Sequence, residues 1–300
     1  MKYRIASHYI VALLGMGCML AHAVDGVYEI NQACVPVGCF PGDPPGFPVN
    51  ITESGSYRLT GNLVLPDENT TAIVYSAADV SLDFNGFTIR GVTECQQNPS
   101  TLLVFCALAG SGRGIESLGN STSLRVSNGS IHGVGNRAIS LSDTNSAIIE
   151  DMVIRSSGSI GIHCGAACAV RNSRVELNLG HGISSLAAES RQATTIDNVV
   201  VNSSGGDGIR CSNLGGSCLV RNSIVQWNQG RGYHAGGDWR ALIVHSHFIG
   251  NGWYGATEST IVASSFRDNN HNFPTDLQVI NGIFLGPSVC FPITGCPPLP

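Results

Sequence analysis

A Gly-Ile step returns at a near-constant interval along most of this chain. "GIES" starts at Gly114, "AISL" at Ala138, "GIHC" at Gly161, "GISS" at Gly182, "GIRC" at Gly208, "GYHA" at Gly232 and "GATE" at Gly255, so successive starts lie 24, 23, 21, 26, 24 and 23 residues apart. A period in this range marks a stack of supersecondary units, because one unit alone cannot bury its apolar face. Within each period a second pattern recurs: a β-branched residue, any residue, Asn or Asp, two residues, then an aliphatic. "VSNGSI", "IEDMVI", "VRNSRV", "IDNVVV", "VRNSIV" and "VHSHFI" all fit it or nearly so. Short β-rich runs separated by Gly, Asn and Ser leave no room for a helix.

With these motifs the chain resembles the right-handed parallel β-helix proteins of the pectate-lyase-like superfamily over roughly residues 57–273. The resemblance implies an all-β solenoid of about 8–9 coils, each with three short strands that stack about 4.8 Å along the axis. Ile115, Ile139, Ile162, Ile183 and Ile209 are expected to form one inward column. Asn128, Asp151, Asn172, Asn198 and Asn222 are expected to form another, hydrogen-bonded rung to rung. "VSLDFNGFTIRG", Val80 to Gly91, reads as an early coil, and residues 92–112 as a loop insertion.

Residues 1–23 read as a signal peptide. Lys2 and Arg4 precede an apolar run, and Ala21-His22-Ala23 offers a small-x-small cleavage site. The expected organisation is then an N-terminal cap over 24–56, the β-helix over 57–273 and a C-terminal cap over 274–300. Both caps are rich in proline, which cannot donate to a strand ladder and suits an end stop. A secreted or periplasmic location fits the cysteines, because removing the signal leaves ten in neighbouring pairs. The expected disulfides are Cys34–Cys39, Cys95–Cys106, Cys164–Cys168, Cys211–Cys218 and Cys290–Cys296. No CxxC spacing suggests zinc.

Charge narrows the partners. Lys2 is the sole lysine, and the chain after residue 23 carries 14 arginines against 21 acidic residues. Such a surface argues against nucleic acid and against an anionic membrane surface. No apolar run is long enough to span a bilayer, and the chain is expected to be a monomer.

Outward positions are where chemistry would lie. After each isoleucine of the Gly-Ile strand comes an outward residue: Glu116, Ser140, His163, Ser184, Arg210, His234. Just before the glycine stand Arg113, Arg137, His181, Asp207, Arg231 and Tyr254. The catalytic candidates are His181, Asp207, Arg210 and Arg231; the substrate-binding candidates are His163, His234, Tyr233, Trp239 and Tyr254. Cations beside aromatics suit an acidic polysaccharide. A second column, Glu150, Arg171, Asp197, Arg221 and His245, alternates in sign and reads as a solvated charge ladder.

Three functions follow from this face. The first is contact with an extracellular, acidic polysaccharide. The second is a polysaccharide lyase or epimerase with an Arg or His base. The third is a structural or adhesive scaffold. Glycoside hydrolysis is disfavoured: "GHG" (Gly180–Gly182) matches the polygalacturonase pattern, but its Asp-Asp pair and lysine are missing, and an inverting hydrolase needs two carboxylates about 6.5–9.5 Å apart. No cofactor is expected, since calcium needs several oxygen ligands together and Asp207 has only Asp238 near it in the repeat.

Overall fold

The computed structural model describes residues 26–119, 121–165, 167–185, 193–212, 217–236, 241–272 and 278–291. The expected signal segment 1–23, Trp239 and Cys296 lie outside them. The chain winds as a right-handed parallel β-helix with three faces. One face is a sheet of ten parallel strands, from Val49–Ile51 to Val279–Ile280, and contains every Gly-Ile step. The other two faces join into a single 19-stranded sheet, because Ser121–His132 and Thr144–Arg155 run as 12-residue strands through the corner between them.

Register follows the repeat. Ile115, Ile139, Ile162, Ile183 and Ile209 pair in succession and are all fully buried. Val126, Ile149, Val170, Ile196, Val220 and Ile243 line the second face, and Ile131, Ile154, Val175, Val201, Val225 and Phe248 the third. Each such side chain contributes about 1.5–3 kcal/mol on burial, so the core is three aliphatic ribs meeting on the axis. The glycine of the Gly-Ile step sits where the chain has no space to spare. A Cβ on Gly182 would lie 2.4 Å from Val201 Cγ1 and 2.7 Å from the Gly208 carbonyl oxygen.

The asparagine column meets the expectation only in part: Asn198 Nδ2 donates to Asn172 Oδ1 on the rung before at 2.9 Å, but the column does not face inward. Asn128, Asp151, Asn172, Asn198 and Asn222 are outward corner residues, and each has a positive φ between 47° and 63°. Asn and Asp tolerate the left-handed conformation better than other non-glycine residues, which explains the recurring residue type. The buried asparagine ladder stands one corner later, at Asn228, Asn251 and Asn269. There Asn228 Nδ2 donates to Asn251 Oδ1 at 2.9 Å and Asn251 Nδ2 to Asn269 Oδ1 at 2.7 Å. The same oxygens also accept the backbone N–H groups of the neighbouring rung.

Strand pairing runs past both expected ends of the solenoid. Val27–Ile30 pairs with Gly55–Leu59 inside the presumed N-terminal cap. Within the expected C-terminal cap, Val279–Ile280, Ile283–Leu285 and Val289–Phe291 together add one more rung, one strand to each face. Tyr28, Phe40 and Tyr57 cluster at the first rungs with ring centroids 5.2–5.3 Å apart. Four expected disulfides are present: Cys34–Cys39, Cys95–Cys106, Cys164–Cys168 and Cys211–Cys218. Cys290 is disulfide-bonded as well.

The insertion is an antiparallel hairpin, Glu94–Gln97 against Val104–Ala107, stapled where Cys95 faces Cys106. It lies as a strap along the corner between the third face and the Gly-Ile sheet, crossing the rungs. Cys95 Sγ approaches the Ser157 carbonyl, Gln97 Nε2 donates to the Trp227 carbonyl at 2.7 Å, and the Ser100 carbonyl meets His271 Nε2 at 3.1 Å.

Candidate functional site

Two columns of the Gly-Ile face set up a grid. Pairing aligns Glu116, Ser140, His163, Ser184, Arg210 and His234 on the strand. The preceding turn aligns His181, Asp207, Arg231 and Tyr254: the carbonyls of Asp207, Arg231 and Tyr254 accept the N–H groups of Gly182, Gly208 and Gly232, each on the rung before. Side chains three residues apart within one rung meet, as Arg137 and Ser140 do at 3.3 Å. Between rungs they meet on a diagonal.

Five of the nine candidates converge at Asp207. Its Oδ2 lies 3.0 Å from His234 Nδ1 and 3.8 Å from His181 Nδ1, while Oδ1 accepts the Arg231 N–H at 2.9 Å. The Asp207 N–H donates in turn to His181 Nδ1 at 2.9 Å. Arg210 Nη1 stands 3.1 Å from His181 Nε2, and Arg231 Nη1 stands 3.0 Å from His234 Nδ1. The Arg231 guanidinium also lies over the Trp253 ring, 5.1 Å from its centroid.

Electrostatics assign the protons. Burial would raise the Asp207 carboxyl, but the His234 bond, the Arg231 N–H and the neighbouring histidines hold it below the ordinary carboxylate range. Asp207 is therefore an acceptor only, and His234 Nδ1 carries the proton between them. Burial, with Arg210 and His234 adding to it and Asp207 opposing, lowers His181. Its neutral ring accepts at Nδ1 from the backbone, which places its proton on Nε2. Both guanidinium–imidazole contacts thus bring donor against donor. They suit a spot where an outside anion supplies the acceptor.

The remaining candidates divide. His163 is in the strand column but only 3% exposed. Burial first, then Arg137, Arg113 and His181, push it down to about 4, so it is a neutral ring beneath the surface. Tyr254 is half-buried at the end of the turn column. Tyr233 is not a surface residue. It pairs with Ile209 in the core column, is fully buried, and its phenol is pushed up by that burial. The repeat already aligned Tyr233 with the isoleucines, so its inward direction follows from the period of two along a strand. On the second face the register pairs Arg221 with Val244, and His245 occupies the corner at φ 46°; the charge ladder ends at Arg221.

Two glycines were missed as site residues. A Cβ on Gly206 would lie 2.6 Å from His181 Nδ1, and one on Gly230 would lie 2.7 Å from Asp207 Oδ1. The first glycine of the "GDG" at Gly206 and of the "GRG" at Gly230 therefore leaves room for the side chain of the preceding rung. The signal was visible as Gly-x-Gly, but it reads as a generic turn until the rungs are stacked.

Comparison with known proteins gives the wider setting. A family model described as "Periplasmic copper-binding protein (NosD)" matches residues 84–286. Among solved structures, the chain is similar to the A-module of the mannuronan C-5 epimerase AlgE4 of Azotobacter vinelandii. That likeness has a TM-score of 0.51 and 12% identity, and covers 92% of this chain and 89% of that one. The AlgE6 A-module from the same organism aligns with a TM-score of 0.45 and 14% identity, over 91% of this chain and 89% of that chain. The Dettilon tailspike protein (gp208) aligns with a TM-score of 0.43 and 12% identity, over 88% and 50%. At such identity the AlgE4 likeness shows a common fold. No curated protein matches the sequence.

The residues at Asp207 do not fit a copper ion. Copper sites draw on several imidazole or sulfur lone pairs, and this cluster leaves one, on His234 Nε2: His181 Nδ1 accepts a backbone N–H, and the His181 proton sits on Nε2. Two guanidiniums within 3.1 Å of these rings would repel a cation. Every described cysteine is in a disulfide, and among the described residues no three His, Cys, Asp or Glu side chains converge on a metal-sized point.

Proposed function

The chain belongs to the NosD family, and we propose that it is an exported β-helix protein that contacts an acidic polysaccharide through the Gly-Ile face between His163 and Tyr254. The observation that carries this reading is the setting of Arg231. Its guanidinium is held over Trp253, its Nη1 faces a ring nitrogen that already bears a proton, and its buried Nε has no acceptor. A uronate carboxylate would supply the missing acceptor, and the partly exposed Trp253 offers a sugar ring an apolar surface beside it. Disulfides accord with an extracellular or periplasmic compartment. No helix among the described residues is long and apolar enough to cross a membrane.

One observation favours a second reading, lyase or epimerase chemistry at the same place. Asp207 fixes the proton of His234 on Nδ1, which leaves the Nε2 lone pair for a substrate proton, as in any carboxylate-oriented imidazole base. Arg231 would then neutralise the uronate carboxylate and make the adjacent C–H more acidic. His181 is the poorer base, since its Nδ1 lone pair is occupied. The structural or adhesive scaffold remains the outcome if no acidic glycan binds.

Binding of the full chain to polygalacturonate, alginate and glycosaminoglycans, with neutral glycans as controls, tests the proposal. Acidic chains should bind, and Arg231→Gln should weaken them about tenfold; failure of every acidic chain to bind overturns it. New ultraviolet absorbance from an unsaturated uronate, or exchange of the hydrogen beside the carboxylate with solvent deuterium, would establish catalysis. Loss of either signal in His234→Gln would identify the base.

A further inference from the structure

The third face carries a column unlike the others. Its outward residues Arg90, His132 and Arg155 pair on successive rungs, at the ends of "FTIR", "GSIH" and "MVIR". Basic groups stacked rung on rung repel, and sheets elsewhere avoid this by alternating sign. Here the next residue, Glu176, relieves little: it lies 3.8 Å from Arg155 Nε but 2.6 Å from Arg174 Nε. Arg90 forms no ion pair among the described residues.

The disulfide-stapled strap rises directly beside this column. Residues 92–96 make one wall and Arg90, His132 and Arg155 the other, enclosing a notch of about 750 Å³. That volume is within the range of roughly 300–1,000 Å³ typical of small-ligand sites. A lone ion would leave most of it empty. His132 Nε2 is buried and without a hydrogen-bond partner. Burial, Arg155 and Arg90 lower its pKa against a smaller opposing effect of Glu176, so the ring is neutral at pH 7. The strap adds one carboxylate, Glu94, exposed on the rim and in no ion pair with either arginine among the described residues.

We propose that this notch is a second ligand site, which holds the carboxylate or sulfate of an acidic sugar between Arg90 and Arg155, with His132 Nε2 as a third contact. Two guanidinium forks about two rungs apart, roughly 9–10 Å along the axis, can clasp one oxyanion from both sides. The remaining volume takes the ring that bears it. The site lies on the far side of the strap from Asp207 and does not depend on the reading of that face.

Calorimetric titration of the full chain with galacturonate, galactose 6-sulfate and galactose tests it. At least one acidic sugar should bind and galactose should not; which one binds distinguishes carboxylate from sulfate. The double variant Arg90→Gln/Arg155→Gln should weaken binding at least tenfold while its circular dichroism stays that of the wild type. In the wild type, saturating acidic sugar should move the His132 imidazole titration, followed by NMR, to higher pH, because the added negative charge favours the imidazolium. Unchanged affinity in the double variant, a stationary His132 titration, or failure of both acidic sugars to bind overturns the proposal. Loss of binding in Arg231→Gln with retention in the double variant assigns the sugar to the Gly-Ile face instead, and also overturns it.

Discussion

Two outward columns of this solenoid share one repeat and one rung spacing, yet their charges have opposite fates. On the second face, Glu150, Arg171, Asp197 and Arg221 stack in register. Arg125 pairs with Glu150, and Arg221 Nη2 bonds Asp197 Oδ2 at 2.7 Å with the arginine about half exposed. On the Gly-Ile face, Ser140, His163 and Ser184 are each 3% exposed, and Asp207 beside them is 8% exposed. Water screens the first column and leaves it nearly inert. The second column is partly dry, so each charge there must find a local partner or be neutral. Burial, rather than residue type, separates a solvated ladder from a site.

The largest expected break in this comparison is at His163. Its folded-state pKa is depressed to about 4 from 6.5, so on acidification the unfolded ring takes up its proton first. The stability it contributes is full above pH 6.5 and drains away as the pH falls to about 4. That amounts to about 3 kcal/mol. Urea unfolding of His163→Leu at several pH values should show a flatter curve across this window than the wild type, by about that amount. Arg171→Leu should leave the slope in this window unchanged; an identical slope for the wild type and His163→Leu would sink the idea.

Next in size is the aspartate contrast. Asp207→Ala strips a buried carboxylate from two histidines and a backbone N–H, and should cost about 2 kcal/mol. Asp197→Ala should cost about 0.5 kcal/mol. Because Asp207 is held below its ordinary value, its contribution is present above pH ~4 and is lost as the pH falls further; chemical denaturation of the pair at neutral and acid pH reads both effects. Equal costs at neutral pH would erase the distinction between the columns.

Smaller again is Gly206→Ala. The new methyl would crowd His181 Nδ1 at 2.6 Å, and turning the ring away should cost about 1 kcal/mol and weaken acidic-glycan binding. The corresponding change at Gly86, with open space around it but φ +80°, should affect stability alone. The smallest effect belongs to Asp197–Arg221. A double-mutant cycle should give a coupling of roughly 0.5 kcal/mol that fades in high salt. A coupling of several kcal/mol would show that this ladder too is shielded from water.

Much of this was legible in the residues. The 21–26-residue period, the isoleucine column, four disulfide pairs and the grouping of His181, Asp207, Arg210, Arg231 and His234 are all readable from spacing. A parallel stack repeats one translation, so equivalent positions in the repeat become neighbours in space without further information. The misread elements share another cause. Asn128 and its equivalents are expected inward because stacked asparagines form hydrogen-bonded ladders; the left-handed corner turns them out. Tyr233 was read by its chemistry against its own register.

By itself, then, the sequence determined the solenoid, its rung register and which side chains stand on one face, since these depend only on a local pattern repeated. The tertiary structure alone decided which of those side chains lose water. The strap from 92 to 107 folds back across rungs far away in sequence, reaching Ser157, Trp227 and His271. Neither the wall it builds beside Arg90, His132 and Arg155 nor the donor-against-donor contacts at Asp207 can be read from a single repeat. The wall, the Arg210–His181 contact and the Asp207 bond that fixes the His234 proton all arise where different rungs meet, and there the protein's dielectric, rather than its spacing, governs the charge.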